Sequence, residues 1–388
     1  MTRGFALDRN VLSASGVVLL LAAGEELWRK FLPKYLEALG GSARAVGLFG
    51  AAESLFDAVY QYPGGFLADR LGRRRAFLVF IALASIGYLT YFLSPVWPFL
   101  FLGLALAMCW RAMASPALFA VIADALPRER RALGFTVQAI ARRLPMIVCP
   151  LLGGLLLDAA GVLRGLRVGL IVTLLFAGLA ALAAGSLSLP EVESQRQSLR
   201  GVWRSFPGAL RRLLLSDIII RVAEGLSELF VILWVVDVTG LSLTQYGVLA
   251  GVQVTTSILV YFPSALLADR IGRKPVVIVT FLCFALFPLA VVSASGFSSL
   301  AAAFLVGGMR EVGEPARKAM IVDLAEPSLR GRTVGLYYLL RGLAVTPAAA
   351  LGGLLWEIAP VAPFVLAGSV GALGAAVFAA SVEERYAA

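Results

Sequence analysis

Seven ionisable residues fall near the middle of long apolar segments, where a charge is costly. A rise of about 1.5 Å per helical residue, counted from the segment ends, places all of them at one depth. They are Glu25, Asp57, Arg111, Arg142, Glu224, Arg310 and Arg341. Carboxylates in such surroundings can bind and release protons, and arginines can hold an anion through paired hydrogen bonds. Each is therefore a functional candidate.

The carboxylates are the candidates for proton binding. On the predicted seventh helix, Arg221, Glu224 and Glu228 share one face at spacings of three and four. Two carboxylates this close disfavour joint ionisation, so one of them can hold a proton, whereas Arg221 favours the charged form. The predicted proton-coupling residues are Glu25, Asp57, Glu224, Glu228 and Glu314.

A structural interpretation of the same charges stays open. Glu25 with Arg29, and Arg310 with Glu314, are i to i+4 pairs that can neutralise one another inside the membrane.

The arginines and nearby aromatic residues are the candidates for a substrate cavity. They are Arg111, Arg142, Arg310, Arg341, Trp110, Trp234 and Tyr338. An aromatic-lined cavity suits an amphipathic organic molecule. Four arginines at one depth equally suit an anion such as an organic acid or phosphate, and both alternatives stay open.

The elements that must position these residues are membrane-spanning helices. Hydrophobic residues make up 60% of the 388 residues and charged residues 15%. The mean hydropathy is +0.87, which is typical of a chain that lies in lipid. We predict twelve spans because about 20 apolar residues cross the hydrocarbon core. They cover 11–35, 46–68, 76–93, 97–120, 133–157, 166–187, 214–238, 245–268, 276–295, 299–322, 333–357 and 361–381.

The two halves of the chain are copies of one another. The sequence GGFLADRLGRRRA from Gly64 returns as SALLADRIGRKPV from Ser264. At an offset of 199 or 200 residues, Glu25 also matches Glu224 and Arg111 matches Arg310. This internal repeat predicts an all-α membrane protein of two six-helix bundles. We expect the bundles at 1–187 and 214–388, with a cytoplasmic linker at 188–213.

The repeated loop is similar to the signature G-x-L-A-D-R-x-G-R-R of the major facilitator superfamily. The resemblance covers the whole chain and implies bundles that rock about a midplane cavity, exposing it alternately to each side. A loop carboxylate that pairs with an arginine in only one packing of the bundles would act as a conformational latch. The predicted latch residues are Gly65, Asp69, Arg70, Gly72, Arg73, Asp269, Arg270, Gly272 and Arg273.

A second resemblance lies in the fifth helix, whose segment PLLGG is similar to the end of a motif typical of antiporters in that superfamily. Small residues there allow helices to approach closely. The predicted packing residues are Pro150, Gly153, Gly154, Gly352 and Gly353.

Several classes of function are excluded. The net charge of +10 is spread over the predicted inner loops rather than gathered into one basic domain, so we expect no nucleic-acid partner. The chain has no histidine and no phosphate-binding loop, so we expect no metal, no other cofactor and no enzymatic activity. The three cysteines show no pairing pattern.

The residues together predict a transporter. Arginines concentrate in alternate loops, which places both termini in the cytoplasm and the chain in the inner membrane. We expect a monomeric, proton-coupled carrier of a small organic solute, with efflux favoured over uptake. Uptake or facilitated transport of an organic anion is the alternative, and a non-transporting sensor or lipid scramblase is a lesser one.

Overall fold

The structure is a computed structural model that describes residues 9–114, 131–185, 203, 206–325 and 330–382. These residues form helices and no strand, which confirms the all-α prediction for the part described. In the first half the helices are α1 (Arg9–Glu26), α2 (Leu32–Ala38), α3 (Ala43–Leu71), α4 (Arg73–Leu93), α5 (Phe99–Met108), α6 (Arg131–Ala160) and α7 (Val162–Gly185).

The second half continues with nine helices over the residues described. They are α8 (Gly208–Ser227), α9 (Val231–Leu233), α10 (Leu243–Ile271), α11 (Arg273–Ser293), α12 (Phe297–Met309), α13 (Glu314–Asp323), α14 (Arg330–Val345), α15 (Pro347–Ile358) and α16 (Ala362–Ser381). Within the described ranges, seven helical segments are long and apolar enough to cross a membrane. Helices α1 and α8 are not among these seven segments, and both carry charged residues of the predicted site.

The chain divides into two compact units. Unit 1 comprises residues 1–41 and 56–196, and unit 2 comprises residues 42–55 and 197–388. In unit 1, α1 packs against α6 and α7. In unit 2, α8 packs against α14, α15 and α16. In both halves, the first helix therefore packs against the last helix of the same half, α7 or α16.

The first helices of the two halves, α1 and α8, break at the same point of the repeat. After α1, Trp28 has φ −128° and a 3₁₀ turn follows at Arg29–Phe31. At the end of α8, Ser227 has φ −116° and a 3₁₀ turn follows at Glu228–Phe230. A discontinuous helix is the form in which many transporters present polar groups at mid-membrane depth. The breaks thus lie beside the predicted carboxylates of both halves.

Two of the predicted packing glycines contact these breaks. A Cβ atom on Gly153 would lie 1.9 Å from the carbonyl oxygen of Leu27, and one on Gly352 would lie 2.2 Å from that of Leu226. No side chain fits at either distance. Each glycine therefore lets its helix approach the backbone directly before the break.

The other predicted packing residues are distributed along the same helices. Pro150 lies inside α6, and Gly154 is buried there. Within unit 2, Gly353 lies against the first turns of α3, where a Cβ atom would be 2.6 Å from the carbonyl oxygen of Ala43.

Candidate functional site

A small cavity in unit 1 contains several of the predicted residues. Its volume is about 70 Å³, and it is lined by Val18, Ala22, Glu25, Glu26, Arg29, Trp110, Arg111, Gln138, Arg142 and Met146. Helix α6 contributes Gln138, Arg142 and Met146, which lie on one helical face because they are four residues apart. Trp110 and Arg111 belong to a π-helical turn, Cys109–Met113, that continues α5.

The two carboxylates of the cavity have different partners. Glu25 is 6% exposed and accepts a hydrogen bond of 2.6 Å from the Tyr88 hydroxyl. One oxygen of Glu26, Oε1, accepts two hydrogen bonds from Arg29, of 3.1 Å from Nε and 2.5 Å from Nη2. Within the described residues, the other oxygen of Glu26 has no hydrogen-bond partner. Both acids lie in the last turn of α1, and Arg29 begins the 3₁₀ turn that follows.

The charges that line the cavity do not cancel. Three arginines face two carboxylates, so the lining carries one surplus positive charge when both acids are ionised. Arg142 has Arg29, Arg111, Glu25 and Glu26 as its charged neighbours. Across the described ranges, no carboxylate lies within ion-pair distance of Arg142, whose side chain is exposed.

Unit 2 contains a denser group of charges, which we call the α8 cluster: Asp217, Arg221, Glu224, Glu228, Arg310, Glu311, Glu314, Arg317, Lys318 and Arg341. At its centre Asp217 is 1% exposed. The Asp217 carboxylate accepts hydrogen bonds from Arg317, from the Tyr337 hydroxyl at 3.0 Å and from Arg341 at 3.2 Å. Asp217 therefore joins α8 to α13 and α14.

Glu314 is the most heavily paired acid of the α8 cluster. It lies 2.7 Å from Arg317, 3.3 Å from Arg221 and 3.4 Å from Lys318. Three cations around one buried carboxylate stabilise its ionised form. Glu314 is thus the predicted proton-binding residue least suited to accept a proton in this arrangement.

Glu224 and Glu228 both lie near one cation, Arg310, which directly follows α12. Arg310 donates a hydrogen bond of 3.1 Å to Glu228 and lies 3.6 Å from Glu224, which also pairs with Arg221 at 2.8 Å. The Arg310 guanidinium lies 4.5 Å from the ring centre of Phe287, a cation–π contact. Five acids face five bases in the α8 cluster, so its charges balance, in contrast to those of the cavity in unit 1.

The remaining candidates lie elsewhere. Trp234 packs edge-on against Phe364 at 5.5 Å, outside the α8 cluster. Asp57 is exposed and does not line the cavity of unit 1. Tyr338 lies under the guanidinium of Arg341 at 4.6 Å.

The latch residues are described only in part. Of Gly65, Asp69 and Arg73, the structure describes only the helical backbone. Gly72 and Gly272 have φ of +77° and +94°, which an L side chain rarely adopts, so both turns require glycine. Arg70, Asp269 and Arg270 are exposed, and Arg273 pairs with Asp323 at 2.5 Å.

Among the residues of these two sites that sequence reasoning missed are Tyr88, Gln138, Asp217 and Tyr337. Two signals were available. Asp217 lies one helical turn before Arg221, and Gln138 lies one turn before Arg142. The tyrosines gave no signal, because their hydroxyls meet carboxylates 63 and 120 residues away in the chain.

Comparison with known proteins agrees with this architecture. The family model of the Major Facilitator Superfamily matches residues 15–236 and again 213–387. An uncharacterised transporter of this type from Methanocaldococcus jannaschii is 23% identical over 386 residues, covering 94% of this chain and 92% of that protein. The quinolone resistance protein NorA of Staphylococcus aureus is 26% identical over 143 residues, which are 37% of each chain.

Solved structures show the same fold at low sequence identity. A POT family transporter in complex with 5-aminolevulinic acid has a TM-score of 0.80 at 13% identity, with 97% of this chain and 96% of that chain covered. The nucleoside transporter NupG has a TM-score of 0.79 at 12% identity, with 97% and 100% covered. These similarities confirm an all-α membrane protein of two six-helix bundles related by an internal repeat. The chain therefore belongs to the Major Facilitator Superfamily and has the fold of a multi-pass membrane transporter.

Proposed function

We propose that this protein exports a small organic solute in exchange for protons, by alternating access. The observation that carries the proposal is Glu25, a buried carboxylate at a cavity. An ionisable group inside a membrane protein is energetically costly, and such groups mark substrate and proton pathways. Export is supported by the similarity to a quinolone resistance protein, because removal of a drug from the cell produces resistance.

Glu25 is our first choice for the proton-binding residue. Its hydrogen-bond donor is a neutral hydroxyl, whereas Glu314 is surrounded by three cations. Glu224 and Glu228 are the second choice, because the two acids share Arg310. Asp57 is the third, since it is exposed and lies outside the cavity lining.

The proposed setting follows from the distribution of arginines. We place the chain in the inner membrane as a monomer with both termini in the cytoplasm. The moving bodies would be the bundles at 1–187 and 214–388, with the linker at 188–213 between them. The latch residues would hold one packing of these bundles.

Proton coupling is tested by the pH change that follows ligand addition to purified protein in weakly buffered detergent. The ligands are a panel of lipophilic cations, organic anions and sugars. We expect a proton signal for one class of ligand in the wild type, with release on binding for an antiporter. Glu25→Gln should abolish the signal without abolishing binding.

Glu37→Gln is the matched control, because Glu37 pairs with Lys34 outside the cavity. It should leave the proton signal unchanged. Ligand binding by the wild type with no proton signal would contradict proton coupling and leave a facilitator or a carrier driven by another ion.

Uptake or facilitated transport of an organic anion is the second candidate function. It is favoured by one observation, the surplus positive charge of the cavity in unit 1. Everted membrane vesicles separate the directions, since an exporter accumulates its solute in them when their interior is acidified.

A further inference from the structure

We propose that the cavity of unit 1 binds the carboxylate of a monoanionic, amphipathic solute, with Arg142 and Gln138 as hydrogen-bond donors. This inference rests on the proposed transport function and names the class of the transported solute. It does not depend on the direction of transport. It also restricts anion binding to unit 1, although the sequence places arginines at mid-depth in both halves.

The charge balance of the cavity sets the charge of the solute. Arg29 is occupied by two hydrogen bonds to Glu26. Glu25 lies in the field of Arg111 and accepts its hydrogen bond from Tyr88. Arg142 is the remaining cation, and one bound carboxylate would bring the lining to neutrality. A dianion would leave an excess negative charge in surroundings of low dielectric, which is costly.

The donors at the cavity match a carboxylate. The planar guanidinium of Arg142 can donate two parallel hydrogen bonds to a carboxylate, and the amide of Gln138 can donate a third. The two side chains lie one turn apart on α6 and both line the cavity. Since Arg142 is exposed and has no carboxylate at ion-pair distance among the described residues, a ligand reaches it without breaking an existing ion pair.

The apolar lining accounts for the rest of the solute. Val18, Ala22, Trp110 and Met146 surround the polar groups. A volume of about 70 Å³ holds a head group but is far smaller than the 300–1,000 Å³ of a typical drug-sized site. The hydrocarbon or aromatic body of the solute therefore extends out of the cavity past these side chains.

Three arginines of unit 2 already donate hydrogen bonds to carboxylates. Arg310 is hydrogen-bonded to Glu228, Arg341 to Asp217, and Arg317 to both Asp217 and Glu314. An anion binding there would have to displace a carboxylate from each arginine. Breaking a buried ion pair is strongly unfavourable, so these arginines serve the structure of the α8 cluster.

The test is equilibrium binding of three probes to the full-length protein in detergent, measured by isothermal titration calorimetry. The probes are 1-naphthoate, 1-naphthalenemethanol and 1-naphthylmethylammonium, which share one aromatic body and differ in charge. We expect 1-naphthoate to bind at least about tenfold more tightly than the other two, the effect of one charge-assisted hydrogen bond.

Variants locate the site. Arg142→Gln should weaken 1-naphthoate binding about tenfold or more, and Arg142→Lys should weaken it less, because lysine keeps the charge but loses the paired geometry. Arg164→Gln is the matched control, because Arg164 is exposed on α7 and does not line the cavity, and it should leave the affinity unchanged. The melting temperature of each variant in detergent shows whether it is folded.

Three results would overturn the inference: equal affinity for all three probes, unchanged 1-naphthoate affinity in Arg142→Gln, or no 1-naphthoate binding in the millimolar range. Different results would contradict the proposed transport function. If 1-naphthoate binds through Arg142 but no solute of the panel moves across vesicle membranes, the site stands and transport of such solutes does not. If a cation is exchanged for protons equally well in Arg142→Gln, the transport proposal stands and the anion site does not.

Discussion

Arg310 donates a hydrogen bond of 3.1 Å to the Glu228 carboxylate, although 82 residues separate them in the chain. Its counterpart in the repeat, Arg111, lies instead in a cavity with a surplus positive charge. Equivalent residues of the two halves thus have different surroundings. One half of the protein holds a balanced ionic cluster, and the other holds a cavity whose lining carries one surplus positive charge.

Asp217 should be essential to the stability of unit 2. Asp217→Asn leaves the buried guanidinium of Arg317 without its carboxylate partner, and removing one member of a buried ion pair costs about 3–5 kcal/mol. We expect a large fall in the melting temperature in detergent. Asp323→Asn is the control, because Asp323 is half exposed in its pair with Arg273 and such pairs contribute about 0–1 kcal/mol. Equal effects of the two substitutions would show that the Asp217 pair is not stabilising.

Alanine should not be tolerated at Gly153 or Gly352. The added methyl would lie 1.9 Å or 2.2 Å from a carbonyl oxygen, so the helices must separate. We expect a loss of at least about 1–3 kcal/mol, typical of overpacking, measured by thermal unfolding in detergent. Gly178→Ala is the control within α7, because no atom lies within 4 Å of its added methyl. This substitution should be neutral or slightly stabilising.

Binding of the anionic probe should become tighter as the pH falls, if Glu25 carries the proton. Protonation of Glu25 removes a negative charge from the cavity that Arg142 lines, so an anion is attracted more strongly. The other charged or titratable groups that act on Glu25 include Tyr88, Arg111, Arg29, Glu26 and Arg142.

Titration of 1-naphthoate affinity between pH 5 and 9 by calorimetry tests this linkage. In Glu25→Gln the affinity should be higher and nearly independent of pH. A wild-type affinity that falls at low pH would contradict this role for Glu25. Positive linkage also separates the two candidate functions. Proton uptake by Glu25 on anion binding would support uptake of the anion together with a proton, the second candidate, whereas proton release on anion binding would support exchange through another acid, Glu224 or Glu228.

The proposed orientation is testable by labelling in a variant with its three cysteines replaced by serine. Arg164→Cys, at the start of α7, should react in intact cells with a maleimide that does not cross membranes. Arg212→Cys, exposed at the start of α8, should react only after the cells are made permeable. The reverse pattern would invert the topology.

The sequence by itself determined the membrane setting, the internal repeat and the fold family. These properties depend on local composition and on matches along the chain, such as Glu25 with Glu224 and Gly153 with Gly352. The repeat is visible because both halves need the same helix break and the same close approach to it.

Only the tertiary structure decided which charges are paired. Helical periodicity places Arg221, Glu224 and Glu228 on one face, but the partner of each depends on the rotation and the breaks of distant helices. Asp217 forms ion pairs with Arg317 and Arg341 from two such helices, whereas within the described ranges no carboxylate lies at ion-pair distance from Arg142. A sequence shows the charges that enter the membrane, and the packing of the helices decides which of them remains available to a ligand.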